Sequence, residues 1–170
     1  MDTYLAVASK RDWRSYDSDR PIPDEVVDRI LDAGRLTGSA MNRQPWTFLV
    51  VEDAERKAAV AEAVYAAANV QGAAFVVAIA TDGGGNPIDV GRAAQNMMLA
   101  AWNDGVVSCP NGFSDPAAAA RALALDGDLQ PVIVLTFGYP TRDLAPDSKS
   151  AEEWSAEANR KPREEAVERL

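Results

Sequence analysis

The chain has 170 residues, 47% of them apolar and 25% charged, the balance of a globular protein that can bury roughly 70% of its unfolded surface in one domain spanning residues 1–170. Its net charge of −9 argues against nucleic-acid and anionic-membrane partners, and its one cysteine, Cys109, forbids an intrachain disulfide and suits a reducing cytoplasm. No histidine occurs, which excludes Ser–His–Asp and Cys–His catalysis and histidine metal sites, and one thiol cannot build a zinc or iron–sulfur cage.

In chain order, residues 1–20 carry charges at short intervals and lack the apolar stretch of a signal peptide. Val26, Val27, Ile30, Leu31 and Gly34 fall on one face of a helix that starts near Pro23-Asp24, with Asp24 and Glu25 at its positive end. Thr47 to Glu52 reads as a strand and Ala54 to Ala66 as one alanine-rich helix. Ala73 to Thr81, short and rich in Val, Ile and Phe, suits a strand buried on both faces, and it is far too short to cross a bilayer. Val90, Ala94, Met97, Met98 and Ala101 share a helical face, so residues 88–104 form a largely buried helix. Asp115 to Leu125 reads as a helix and Pro131 to Phe137 as a strand. Ser150-Ala151-Glu152-Glu153 is a capping-box pattern that starts a helix carrying Trp154, and the charged residues 159–170 contribute little core. Helices alternating with strands imply layers around one sheet.

A composition without histidine points to an organic cofactor as the source of any reactive atom. Lys10, Arg11 and Arg14 near one end and Arg160, Lys161 and Arg163 near the other hold six of the 17 basic residues, and arginine forks suit a phosphate; two unrelated solvated faces are the plainer alternative. Asp82-Gly83-Gly84-Gly85-Asn86-Pro87 lacks the spacing of a dinucleotide loop and reads as a connection. Gln95 and Asn96 interrupt an apolar helix, where buried amides must either cap backbone or face a ligand. Met97, Met98 and Trp102 read as packing. Cys109 has apolar flanks and no cationic neighbour in sequence, so it reads as buried rather than nucleophilic.

Several motifs occur in a telling order. Lys10-Arg11-Asp12-Trp13-Arg14 precedes Pro21-Ile22-Pro23; Ser39-Ala40-Met41-Asn42-Arg43-Gln44-Pro45-Trp46 runs into an apolar strand; Cys109-Pro110-Asn111-Gly112 precedes a helix; Arg160-Lys161-Pro162 closes the set. This order resembles the flavin-dependent nitroreductase family over nearly the whole chain. The resemblance implies an α+β fold with a central mixed sheet flanked by helices, and a homodimer with FMN at the subunit interface. It implies phosphate and ribityl contacts from Lys10, Arg11, Asp12 and Arg14, and phosphate contacts from Arg160 and Lys161. It implies flavin-ring contacts from Ser39 and Asn42, a polar contact near flavin and nicotinamide from Asn69, and a turn at Pro110, Asn111 and Gly112 beside flavin N5. Two positions depart from the pattern. Asp12 stands where serine is common and would either point away, holding Arg14, or weaken FMN retention; Gly38 stands where proline is usual.

The activity implied is ping-pong hydride transfer from NAD(P)H through FMN to a nitroaromatic, quinone or enone. No side chain stands out as a catalytic acid and no metal site is expected. The same residues leave open a flavin or deazaflavin carrier or sensor, and a flavin-fragmenting or dehalogenating enzyme.

Overall fold

The computed structural model describes residues 2–83 and 86–170, and its backbone gathers into two compact units, residues 1–10 with 145–170 and residues 11–144. In the smaller unit, helix α1 (Thr3–Ser9) is capped by the Asp2 carboxylate, which accepts from the N–H groups of Tyr4 and Leu5 at 2.9 and 3.2 Å. It packs on α7 (Ala151–Ala156), where the expected capping box forms: Glu153 accepts from the Ser150 N–H at 2.7 Å and donates its own N–H to the Ser150 hydroxyl. Trp154 donates its indole N–H to the Pro146 carbonyl at 2.8 Å. Residues 159–170 are exposed, although they include the short helix α8 (Arg163–Ala166).

The larger unit is built on four strands, β1 (Trp46–Val50), β2 (Phe75–Thr81), β3 (Val107–Asn111) and β4 (Gln130–Gly138), in the spatial order β1-β2-β4-β3. The α+β class with flanking helices holds. The four strands, however, pair antiparallel throughout, and among the described residues parallel pairing is confined to a bridge between Asp12 and Ser108 on the outer edge of β3. β2 is central and its first six residues are buried, as its unbroken apolar run predicts.

One face of the sheet, with Phe75, Val77, Ile79, Leu135 and Phe137, packs against α2 (Asp24–Arg35) and α5 (Pro87–Asn103). Val26 and Ile30 supply the α2 side and Val90, Ala94, Met97, Met98 and Ala101 the α5 side, so the helical periodicities read from sequence are the ones that meet. The apolar face of α5 is therefore covered within this chain and gives no argument for a partner. Gln95 and Asn96, expected to be buried, are exposed, because they lie on the face of α5 turned from the sheet; Asn96 donates its Nδ2 group to the Thr37 hydroxyl at 2.8 Å.

Beyond the other face lie α3 (Ala54–Glu62), α4 (Ala67–Gly72) and α6 (Pro116–Ala122). The single helix expected over residues 54–66 stops at Glu62. There Ser114 and Asp115 donate their N–H groups to the Ala63 carbonyl, Val64 bridges Phe113, and Tyr65 donates to the Gly112 carbonyl at 3.2 Å, so a tertiary pairing ends a run with high helix propensity. Asn86 caps α5 through its side chain at the Ile88 N–H and Pro87 occupies the first turn; Gly84 and Gly85 of the glycine loop lie outside the described residues.

Candidate functional site

Three stretches distant in sequence meet at the β3 end of the sheet. On the edge strand β3, where Pro110 leaves no ladder N–H unmet, Asp12 bridges Ser108 and the Trp13 N–H donates to the Ser108 carbonyl at 3.0 Å. The segment then runs to the end of β4, where Tyr16 bridges Pro140 and Asp17 donates to the Tyr139 carbonyl at 2.9 Å. Arg11 and Arg14 are thus carried on a strip of backbone laced to the sheet. Position 138 must be glycine for this lacing, since a Cβ there would stand 2.7 Å from Cδ1 of the Tyr16 ring.

Under that strip lies a buried polar network. Thr136, fully buried, and Cys109 are directly opposed on β4 and β3, and Asn111 is two residues farther along the same face. The Asn111 Nδ2 group donates to the Cys109 carbonyl at 2.9 Å and to the Thr136 hydroxyl at 3.1 Å, while its Oδ1 accepts from Asn69 Nδ2 at 2.8 Å. The Tyr16 hydroxyl lies 2.7 Å from the Thr136 hydroxyl and donates to the Trp13 carbonyl at 2.8 Å. The one Thr136 hydroxyl hydrogen has two acceptors in reach, the Tyr16 oxygen at 2.7 Å and the Cys109 carbonyl at 3.0 Å; with Tyr16 donating to Trp13, Thr136 can donate to Tyr16 while Asn111 serves the Thr136 oxygen and the Cys109 carbonyl. Burial, the largest influence, pushes the Tyr16 phenol well above its ordinary value, so the proton stays in place.

Two buried polar atoms close by, Trp13 Nε1 and Ser108 Oγ, have no hydrogen-bond partner among the described residues, a cost of roughly 1–3 kcal/mol each. Arg142 lies over the Trp13 ring, its guanidinium carbon 4.7 Å from the centroid.

The model for the Nitroreductase family matches residues 7–86 and 80–139 of this sequence. The chain belongs to the nitroreductase family. A Methanothermobacter thermautotrophicus protein named as an NADH dehydrogenase/NAD(P)H nitroreductase is 32% identical, over 91% of this chain and 88% of its own. Among solved structures, a Clostridium difficile nitroreductase family protein superposes with a TM-score of 0.81 at 24% identity, covering 99% of this chain and 98% of the other. The NADPH:FMN oxidoreductase of Vibrio harveyi, solved with NAD+, gives a TM-score of 0.82 at 20% identity, covering 98% of this chain and 77% of the other. The protein is accordingly an oxidoreductase on the nitroreductase fold.

Within that fold each expected site residue has a definite setting. Arg11 is half-buried and Asp12 and Arg14 are exposed, so no penalty for a buried carboxylate arises at Asp12. Lys10 is half-buried at the end of α1 in the smaller unit. Arg160 and Lys161, in the same unit, are exposed, and Arg160 donates to the Ala158 carbonyl at 2.7 Å, next to Asn159 with its left-handed φ of 46°. Ser39 and Asn42 sit on the loop between α2 and β1; the Ser39 hydroxyl accepts from the Gln44 N–H at 2.8 Å, which leaves its own hydrogen to donate elsewhere. Pro110 and Asn111 are the last residues of β3 rather than a turn, and the reversal comes at Gly112. Asn111 commits its side chain to the network and is only 4% exposed, so what this stretch offers a ligand is backbone. Asn69, 5% exposed, belongs to the same network. A Cβ on Gly112 would meet only the Tyr65 ring, at an ordinary 3.6 Å, so the fold itself does not require glycine there.

Sequence reasoning passed over Tyr16, Thr136 and Tyr65. The first two have no motif, since only the sheet register brings residues 120 apart into contact. Tyr65, 81% exposed beside Gly112, is an aromatic surface left by the premature end of α3.

Proposed function

We propose that the protein is an NAD(P)H-dependent FMN oxidoreductase that acts as a homodimer and reduces a nitroaromatic, quinone or enone acceptor in two half-reactions. The observation that carries this reading is the fastening of the Trp13 strip, Asn69 and the end of β3 into one hydrogen-bonded body. These are three of the stretches that carry the family's flavin positions, and here they are fixed relative to one another before any ligand arrives. The name of the Methanothermobacter relative supports NAD(P)H as reductant, and the Vibrio harveyi enzyme supports FMN.

The residues present fit that cofactor. Arg11 and Arg14, on the strip laced to β3, bring planar guanidinium donors suited to a phosphate. Ser39 has a hydroxyl proton to give, Asn42 offers an exposed amide, and the orphaned Trp13 Nε1 and Ser108 Oγ are polar atoms in want of a partner. FMN, when bound, supplies the redox chemistry, accepting hydride from the nicotinamide and delivering it to the acceptor. The chain's own part is to seat the phosphate, orient the ring from the 39–42 loop and present backbone N–H groups near Gly112. The chain has no histidine and no side chain of the site stands out as a general acid, which is compatible with water as the source of the proton that accompanies hydride to the acceptor. Leu36, Met41 and Ile88, exposed by 67%, 78% and 66% around that loop, support a subunit contact there.

Anaerobic titration with FMN followed by NAD(P)H tests the reading. It expects the flavin spectrum to shift on binding and to bleach on reduction. Absence of FMN binding contradicts it, and binding without bleaching assigns the protein to carriage or sensing instead.

A further inference from the structure

The loop that carries Ser39 and Asn42 has an unusual backbone. Met41, Asn42 and Gln44 have φ values of 52°, 55° and 50°, in the left-handed region that residues with a side chain adopt reluctantly. Such a loop keeps its shape only if something outside it holds it. Its bonds from Asn42 N–H to the Ser39 carbonyl, from Arg43 N–H to the Ala40 carbonyl and from Gln44 N–H to the Ser39 hydroxyl are internal. Asp89, on the first turn of α5, reaches it from outside. This carboxylate is 5% exposed, and its Oδ2 accepts from the Ala40 N–H at 3.0 Å. Its Oδ1 accepts from Arg92 Nη1 at 3.4 Å. The Arg92 guanidinium in turn lies along the backbone of Gly38, where a Cβ would stand 3.2 Å from Nη2.

We propose that Asp89 and Arg92 are positioning residues for the flavin-ring loop: Asp89 anchors it through the Ala40 N–H, and Arg92 holds Asp89 while packing on the glycine where the loop leaves α2. The inference rests on the FMN reading for its functional half. Among the described residues Asp89 is the one buried side chain that carries a formal charge, and its two partners are the Ala40 N–H and Arg92. An acceptor with full negative charge suits this task, because a charge-assisted bond to one backbone N–H must offset several unfavourable dihedral angles. Among the described residues Asp89 makes no hydrogen bond to Ser39 or Asn42, so its effect on them runs through the shape of the loop.

Hydrogen exchange on the flavin-free protein, paired with FMN titration, decides it. In Asp89→Ala, exchange across residues 38–44 should rise about tenfold or more while β2 and β4 stay protected, and FMN dissociation should worsen by about ten- to hundredfold, the usual effect of losing a bond to a charged group. Asp89→Asn, close in size but uncharged, guards against a folding failure and should fall between. Arg92→Ala should shift exchange at 38–40 in the same direction and by less. Unchanged exchange over 38–44 in Asp89→Ala overturns the proposal, as does wild-type FMN affinity in a variant whose loop has loosened. Faster loop exchange in Asp89→Ala together with no FMN binding by the wild type would leave the anchor standing and overturn the cofactor reading instead.

Discussion

The β3 end of the sheet and the 38–44 loop both carry residues matched to flavin contacts, yet they are held in opposite ways. At the sheet, Asn69, Asn111, Thr136 and Tyr16 satisfy one another in the interior, and backbone pairing from Asp12 to Asp17 locks the strip above them. In the loop, three residues hold left-handed dihedral angles on an exposed turn fastened by Asp89. The first region is set by the fold alone; the second is poised, with part of its shape open to a ligand or a second subunit. In the proposed site, a rigid wall would hold one end of the cofactor while an adjustable wall would admit acceptors of different size.

The sharpest way to break the contrast is to damage the rigid wall. Asn111→Ala leaves the buried Asn69 amide without its oxygen acceptor and removes one partner each from the Thr136 hydroxyl and the Cys109 carbonyl, and should lower unfolding stability by about 3 kcal/mol in urea titrations. A loss below about 1 kcal/mol would mean the network is ornamental to stability.

Loss of phosphate contacts should follow in size. Arg14→Ala and Arg160→Ala should each weaken FMN binding by roughly 1.5–3 kcal/mol in fluorescence quenching titrations, without altering the denaturation midpoint. Unaltered affinity in both would move the phosphate elsewhere.

Tyr16→Phe should cost about 1–2 kcal/mol of stability. It also carries a pH signature. Because the folded protein raises the Tyr16 pKa above its ordinary 10.0, the folded state holds that proton more tightly; the contribution is whole below pH 10 and declines as pH climbs above it. Stability curves from pH 8 to 11 should therefore fall more steeply above pH 10 for the wild type than for Tyr16→Phe. Parallel curves would place the phenol in water.

The smallest effect is expected in the adjustable wall. Met41→Gly relieves a strained φ of 52°, so stability should change by less than about 1 kcal/mol while exchange in the loop accelerates.

Elements with a strong local signal were legible in the sequence: the α2 and α5 faces, the apolar β2, the Ser150 capping box and the order of the flavin-type motifs. What was hidden depended on register or on tertiary competition. Thr136 and Tyr16 look unremarkable until β3 and β4 pair, and α3 breaks at Glu62 because the 112–115 stretch captures the backbone that follows. Asn111 is matched by the family resemblance to a position beside the flavin, and the structure shows its side chain committed to the interior network, a role that only the β3–β4 register reveals. Asp89 could not have been singled out, since an acidic residue in a first helical turn is common for dipole reasons alone.

The central claim is that this chain seats a flavin by its phosphate. It is tested most directly by comparing FMN with riboflavin in equilibrium titrations of the wild-type protein. FMN should bind, and riboflavin, lacking the phosphate, should bind at least about tenfold more weakly. Equal affinities, or no binding of either, would contradict it.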